Sequence, residues 1–170
     1  VMASGATLVS LVPTALARID PAVFRTIVLG GSRPPAIRPA NCVVTYGMTE
    51  TGSGIVYDGI PLDGVEVDID GDGDGDGEIR VRCPMLMRCY RDGSTPITSD
   101  GWFPTGDLGR RLDDGRLEVS GRKSDLIITG GENVWPETVE AILADHPAVA
   151  DVMVRGVDDP EWGQIVEAVV

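Results

Sequence analysis

The sequence predicts an α/β sheet, then a small antiparallel β-barrel, then the start of a separate α+β unit. Three observations predict this. Two short apolar runs, Ile27–Leu29 and Cys42–Tyr46, each end in a glycine-rich loop, as buried parallel strands do on the ligand side of a sheet. From Pro61 onward apolar and charged residues alternate with period two. After Gly121 an amphipathic helical stretch is followed by two apolar strands. The predicted parts are residues 1–60, 61–121 and 122–170, with the main boundary at Gly121 to Ser124.

Taken in order, the apolar stretch Ser10–Ala17 predicts a helix in spite of Pro13. "RTIVLGG" and "NCVVTYGMTETGSG" give the two buried strands, the second running into a loop rich in Gly, Thr and Ser. Val65, Val67 and Ile69 alternate with Glu66, Asp68 and Asp70. Ile79 and Val81 alternate with Glu78, Arg80 and Arg82. Further strands are expected at Arg116–Ser120 and Leu126–Thr129, with Gly and Asp turns between. "NVWPETVEAILADHP" reads as a helix: Pro136 suits its first turn, Glu137 and Glu140 its N-terminal half, Val139, Ile142 and Leu143 its apolar stripe, and Pro147 ends it. "AVADVMVRGV" and "QIVEAVV" are the last two strands.

The 170 residues hold 14 Lys plus Arg against 27 Asp plus Glu, a net charge of −13. Such a surface repels phosphate backbones and argues against nucleic acid as a partner. It leaves small polyanions open, because helix N-termini and glycine-rich backbone bind phosphate without net positive charge. No apolar run reaches membrane-spanning length, and no basic leader opens the chain. Cys42, Cys83 and Cys89 make neither a disulfide framework nor, with His146, a zinc spacing, which predicts a reducing, cytoplasmic compartment.

"DIDGDGDGDGEIRV", Asp68 to Val81, suggests a calcium loop. An EF-hand loop needs a closing Glu at its twelfth position. Starting at Asp68, Asp70 or Asp72, that position is Ile79, Val81 or Cys83. The run is read as a flexible turn joining two strands, with Glu66 and Asp68 near Arg80 or Arg82 across the ladder. A calcium-dependent binding module is the competing reading.

"TYGMTETG" (Thr45 to Gly52), "DGWFPTGDLG" (Asp100 to Gly109) and "GRKSDLIITGGENVWPETVE" (Gly121 to Glu140) occur in this order. Together with "PLDGVEV", "GEIRVRCPMLMRCY" and "HPAVADVMVRGVDDPEWGQ", they resemble the adenylate-forming superfamily: acyl-CoA synthetases, luciferases and peptide-synthetase adenylation domains. Each segment alone is weak; the ordered set is specific and covers nearly the whole chain. The resemblance implies an acyl-CoA synthetase-like fold. Residues 1–121 would be the C-terminal portion of a large AMP-binding domain, and 122–170 the start of a mobile C-terminal domain.

The chemistry it implies has two steps. A carboxylate attacks the α-phosphate of ATP, giving an acyl-adenylate and pyrophosphate; the thiol of coenzyme A then displaces AMP. By resemblance Glu50 holds Mg²⁺ and Thr49 bonds a phosphate oxygen. Tyr46 and Gly47 lie at adenine, and Gly30, Gly31 and Ser32 against the purine and acyl group. Asp107 accepts the ribose hydroxyls, and Arg122 meets ribose or phosphate. Lys123 and Ser124 form the hinge, where many relatives have Asp in place of Ser124. Gly130, Gly131 and Glu132 make the loop that enters the site for thioester formation. Taken singly, Asp107 reads as a turn residue, Arg122 as a surface cation and Glu50 as a cap.

The family's phosphate loop would precede Val1 and its adenylating Lys would follow Val170; "GRKS" is no substitute, because its Gly-Lys-Ser/Thr order fails. The chain alone is therefore expected to be inactive and its parent active. Within the superfamily the motifs most resemble o-succinylbenzoate–CoA ligases of menaquinone biosynthesis. The loop from Thr51 to Val56, with its small residues, would line a pocket for a compact aromatic acid. The alternatives are a medium-chain or aryl acyl-CoA synthetase, or an inactive nucleotide-binding fragment. Partners are then a small carboxylic acid, ATP and CoA, with no membrane, and a homodimer is left open.

Overall fold

Strands β1 (Leu8–Leu11), β2 (Thr26–Leu29) and β3 (Cys42–Met48) run parallel in the computed structural model, which describes residues 5–35, 37–71 and 76–170. Strands β4 (Ser53–Tyr57) and β5 (Ile60–Pro61) extend the sheet antiparallel, in the order β1-β2-β3-β4-β5. The apolar runs are buried as expected: Phe24, Ile27, Leu29 and Cys42 form a core, with Val9, Leu11, Leu16 and Ile19 packed on it. Burying each such aliphatic side chain stabilises by about 1.5–3 kcal/mol. Asn41 seals the edge of this core. Its Nδ2 donates to the carbonyls of Pro21 (3.0 Å) and Phe24 (2.8 Å).

Two expectations for this region are corrected. Ser10–Ala17 is not one helix: Ser10 and Leu11 belong to β1, and only α1 (Pro13–Leu16) is helical. Pro13 forces Val12 into an extended conformation, and the residues before it find a parallel partner in β2. The Thr51–Val56 stretch is not a loop. After a tight turn at Thr49–Thr51, β4 starts at Ser53 and pairs back onto β3.

A second sheet has the order β6-β7-β8-β9, from β6 (Glu66–Asp70), β7 (Gly77–Arg82), β8 (Phe103–Arg111) and β9 (Leu117–Arg122). Period-two alternation buries Ile79 and Val81 on β7, and Phe103, Thr105 and Asp107 on β8. The charged residues pair across β6 and β7 as expected. Arg82 grips Glu66 through Nε (2.8 Å) and Nη2 (2.6 Å), and Arg80 bonds Asp68. Of the Asp/Gly run, residues 72–75 lie outside the described residues. The expected mixture of sheets with few helices is the fold observed.

The third sheet is antiparallel, β11-β10-β13-β12, from β10 (Ile127–Thr129), β11 (Glu132–Val134), β12 (Met153–Asp159) and β13 (Gly163–Val169). Helix α2 (Pro136–Ala144) opens on its predicted proline, and Glu140 reaches out of it to accept the Val154 amide at 2.8 Å.

By packing, the chain divides into two compact units. One comprises Val1–Asp68, Arg80–Pro104 and Arg111–Glu118; the other comprises Ile69–Ile79, Thr105–Arg110 and Val119–Val170. Among the described residues no helix is long and apolar enough to cross a membrane.

Candidate functional site

In the first unit the strand ends surround a cleft of about 520 Å³, lined among others by Ser10, Val12, Gly30, Gly31, Thr45 and Tyr57. What shapes it is missing side chains. A Cβ on Gly30 would lie 2.9 Å from Thr45 Cγ2, and one on Gly54 would overlap Thr45 Oγ1. A Cβ on Gly47 would overlap the Ser53 carbonyl and lie 2.6 Å from Gly54 Cα. The ladder between β3 and β4 shifts register between Tyr46 and Gly47, which brings the two backbones this close. Thr45 Oγ1 is buried without a hydrogen-bond partner among the described residues. Thus Gly30 and Gly31 meet Thr45 at one cleft, while Ser32 is exposed and Tyr46 sits half-buried opposite Val56.

Thr49 and Glu50 occupy the turn after β3. That turn is fixed by Thr51, whose buried hydroxyl accepts from the Met48 amide (3.1 Å) and lies 2.7 Å from the Ser53 carbonyl. The Glu50 carbonyl accepts from the Met87 amide at 2.7 Å, and its carboxylate Oε1 accepts from the Tyr90 hydroxyl at 3.0 Å. Thr49 is exposed.

In the second unit Asp107 is not a turn residue. It lies within β8, on the face that carries Phe103, and its side chain is 9% exposed. A buried carboxylate must be paired. Arg122 Nε lies 2.9 Å from Asp107 Oδ1, and Arg122 Nη1 donates to the Thr105 carbonyl at 3.1 Å. The Thr105 hydroxyl donates to the Ile79 carbonyl (2.7 Å) and accepts from the Asp107 amide (3.1 Å). Gly106 between them has φ of 72°, which a side chain would strain. Its amide donates to Glu78 Oε1 at 3.3 Å, and Glu78 Oε2 accepts from Lys123 Nζ at 2.9 Å. That bond to Glu78 raises the Lys123 ammonium above its ordinary value. The fold therefore gathers Asp107, Arg122 and Lys123 around one strand segment.

Ser124 is exposed and bonds Asp125 at 2.8 Å. Gly130 and Gly131 form the tight turn between β10 and β11. The Gly130 amide donates to the Trp162 carbonyl (2.9 Å), and a Cβ on Gly130 would lie 2.6 Å from that indole. Glu132 is not in the loop but opens β11, opposite Thr129. The two-residue turn closes the hairpin before it.

Four residues with evident parts were not singled out from sequence: Thr45, Glu78, Tyr90 and Thr105. Thr105 and Glu78 had a signal, a polar residue in step with a period-two buried face and a carboxylate beside it. Thr45 and Tyr90 had none, since their partners lie on other elements.

A family model described as the AMP-binding enzyme C-terminal domain matches residues 138–170. The 2-succinylbenzoate–CoA ligase of Bacillus licheniformis is 39% identical over 195 aligned positions, covering 95% of this chain and 41% of that protein. A probable 2-succinylbenzoate–CoA ligase of Mycobacterium tuberculosis is 39% identical over 190, covering 99% and 48%. The o-succinylbenzoate CoA synthetase of Bacillus subtilis, solved with its acyl-adenylate intermediate, superposes with TM-score 0.82 at 35% identity, covering 95% of this chain and 40% of that one. Its complex with ATP and a magnesium ion gives TM-score 0.80 at 36% identity, covering 95% and 41%. The chain spans less than half the length of these relatives.

Proposed function

We infer that this chain, homologous over nearly its whole length to part of the adenylate-forming enzymes, is a portion of an ATP-dependent acid–CoA ligase acting through an acyl-adenylate. The observation that supports it most is Asp107: a carboxylate on the buried face of β8, held by Arg122, which is itself fixed by the Thr105 carbonyl. A fold gains nothing in stability from burying such a charge, whereas a pair of ribose hydroxyls needs a fixed acceptor.

The roles follow residue by residue. Asp107 accepts from ribose, with Arg122 beside it. Gly30, Gly31 and Ser32 lie against purine and acyl group, and Tyr46 and Gly47 meet adenine. Thr49 bonds a phosphate oxygen. Lys123 and Ser124 form the hinge between residues 1–121 and 122–170, and Gly130, Gly131 and Glu132 act in thioester formation. Magnesium fits Glu50: among the described residues its carboxylate is held at Oε1 only, by the Tyr90 hydroxyl. Mg²⁺ characteristically takes one or two carboxylates plus waters and substrate phosphates. When bound, the ion would neutralise phosphate charge as pyrophosphate leaves. Coenzyme A is the second substrate.

The proposed acid is o-succinylbenzoate, as in the relatives' names, with Ser53, Gly54 and Thr45 on the wall of the cleft. The protein is proposed to act in the cytoplasm on small molecules, a reading its net charge of −13 favours over nucleic acid. The test is CoA-thioester formation by the full-length protein, with o-succinylbenzoate beside benzoate and octanoate, ATP and Mg²⁺. Preference for o-succinylbenzoate is the expected result. Preference for another acid would keep the ligase and discard this substrate, and absence of both thioester and AMP would reject the reading.

A further inference from the structure

We propose that Tyr90 is a positioning residue for the Glu50 carboxylate, holding it so that Oε2 faces a divalent cation. The proposal rests on the reading of Glu50 as the magnesium ligand.

The geometry supports it at three levels. First, the segment Met87–Tyr90 grips Glu50 at both ends: the Met87 amide at its carbonyl (2.7 Å) and the Tyr90 hydroxyl at Oε1 (3.0 Å). Forty residues separate the phenol from the carboxylate in sequence, so the contact is tertiary. Second, Tyr90 is itself anchored. Its amide donates to the Ser94 carbonyl (2.7 Å), the Gly93 amide donates back to its carbonyl (3.0 Å), and Asp92 accepts from the Ser94 amide and hydroxyl (2.9 and 2.6 Å). Third, Tyr90 remains 41% exposed, so packing alone does not account for its place. Oε2 of Glu50 has no hydrogen-bond partner among the described residues.

A lone carboxylate turns freely about its last bond. A phenol on one oxygen fixes the plane and leaves the other oxygen for the metal, the arrangement by which outer-shell donors orient metal ligands.

The experiment is Mg²⁺ titration of ATP binding by calorimetry, on the full-length protein and its Tyr90→Phe and Glu50→Gln variants. Tyr90→Phe should raise the Mg²⁺ needed for half-saturation by roughly 10- to 100-fold. Binding of ATP without metal should stay unchanged, which a merely structural role would not achieve. Glu50→Gln should have the same effect or a larger one. If Glu50→Gln shifts the titration and Tyr90→Phe does not, the positioning role is overturned and the ligand reading survives. If neither shifts it, both fall.

Discussion

The cleft of the first unit and the Asp107 network of the second are built on opposite principles. The cleft is made by subtraction: Gly30, Gly47 and Gly54 let Thr45 and the β4 backbone approach where no side chain would fit. The network is made by addition: Asp107, Arg122, Glu78 and Lys123 tie one strand segment from several sides. The difference teaches where each is vulnerable. A single added methyl should break the first, and a single deleted charge should loosen the second.

The largest effect is expected from Gly47→Ala. Its new methyl would meet the Ser53 carbonyl and Gly54 Cα, backbone atoms that cannot rotate away. Overpacking typically costs about 1–3 kcal/mol, and this site should lie at the upper end, about 3 kcal/mol. Gly54→Ala should cost less, about 2 kcal/mol, because its clash is with a side chain, Thr45 Oγ1. Chemical denaturation of the full-length protein measures both. The double variant Gly54→Ala/Thr45→Ala should recover much of the Gly54 loss, while Thr45→Ala should do nothing for Gly47→Ala. Equal rescue of both would mean that the glycines are not separated in this way.

Next comes the charged network. Arg122→Met leaves a carboxylate that is 9% exposed without its guanidinium, while Asp107→Asn leaves an arginine that is 54% exposed and readily hydrated. The arginine variant should therefore lose more stability, of order 1–2 kcal/mol after allowing for solvent around Arg122. Nucleotide affinity should rank the other way. A charged acceptor lost from a hydrogen bond costs roughly 1.5–3 kcal/mol, so Asp107→Asn should weaken ATP binding by roughly 10- to 100-fold by calorimetry. If the two variants rank alike in both measurements, Asp107 serves the fold rather than a ligand.

The same contrast explains what was legible in the sequence. Strands β2 and β3 could be read from their continuous apolar runs and the β6–β7 pair from its period of two, whereas helix α2 was legible in its opening Pro136 but not in its predicted apolar stripe, because Ile142 is 69% exposed. Asp107 could be found as a residue but not as a strand residue. "TGDLG" carries two glycines and reads as a turn, and only the neighbouring strands of the sheet hold it extended. Strand β4 was hidden for a related reason: Ser53 and Gly54 have poor strand propensity, and the bulge at Tyr46 and Gly47 decides their pairing. Pro13 was the visible warning against a helix from Ser10. Thr45 and Tyr90 escaped because their partners lie on other elements, Tyr90's forty residues away.

The smallest effect is expected where charge sits on the surface, at the β6–β7 ladder. The hydrogen bond from Arg82 holds the Glu66 carboxyl below its ordinary value of 4.5. A depressed carboxyl contributes stability that is present above pH 4.5 and is lost as pH falls through its folded value. Glu66→Gln should therefore lower Tm slightly at pH 6 and flatten its fall below pH 4.5. Arg82 does more than pair: its guanidinium lies 4.7 Å from the Trp102 ring centroid and donates to the Asp100 carbonyl at 3.3 Å. Arg82→Ala should thus lower Tm further than Glu66→Gln. In about 1 M salt, where screening acts within about 3 Å, the Glu66→Gln difference should shrink while that of Gly47→Ala stays. A Glu66 effect that survives such salt undiminished would mean that shape, not charge, joins these strands. The division between a region built by subtraction and one built by charge would then fail where charge is most exposed.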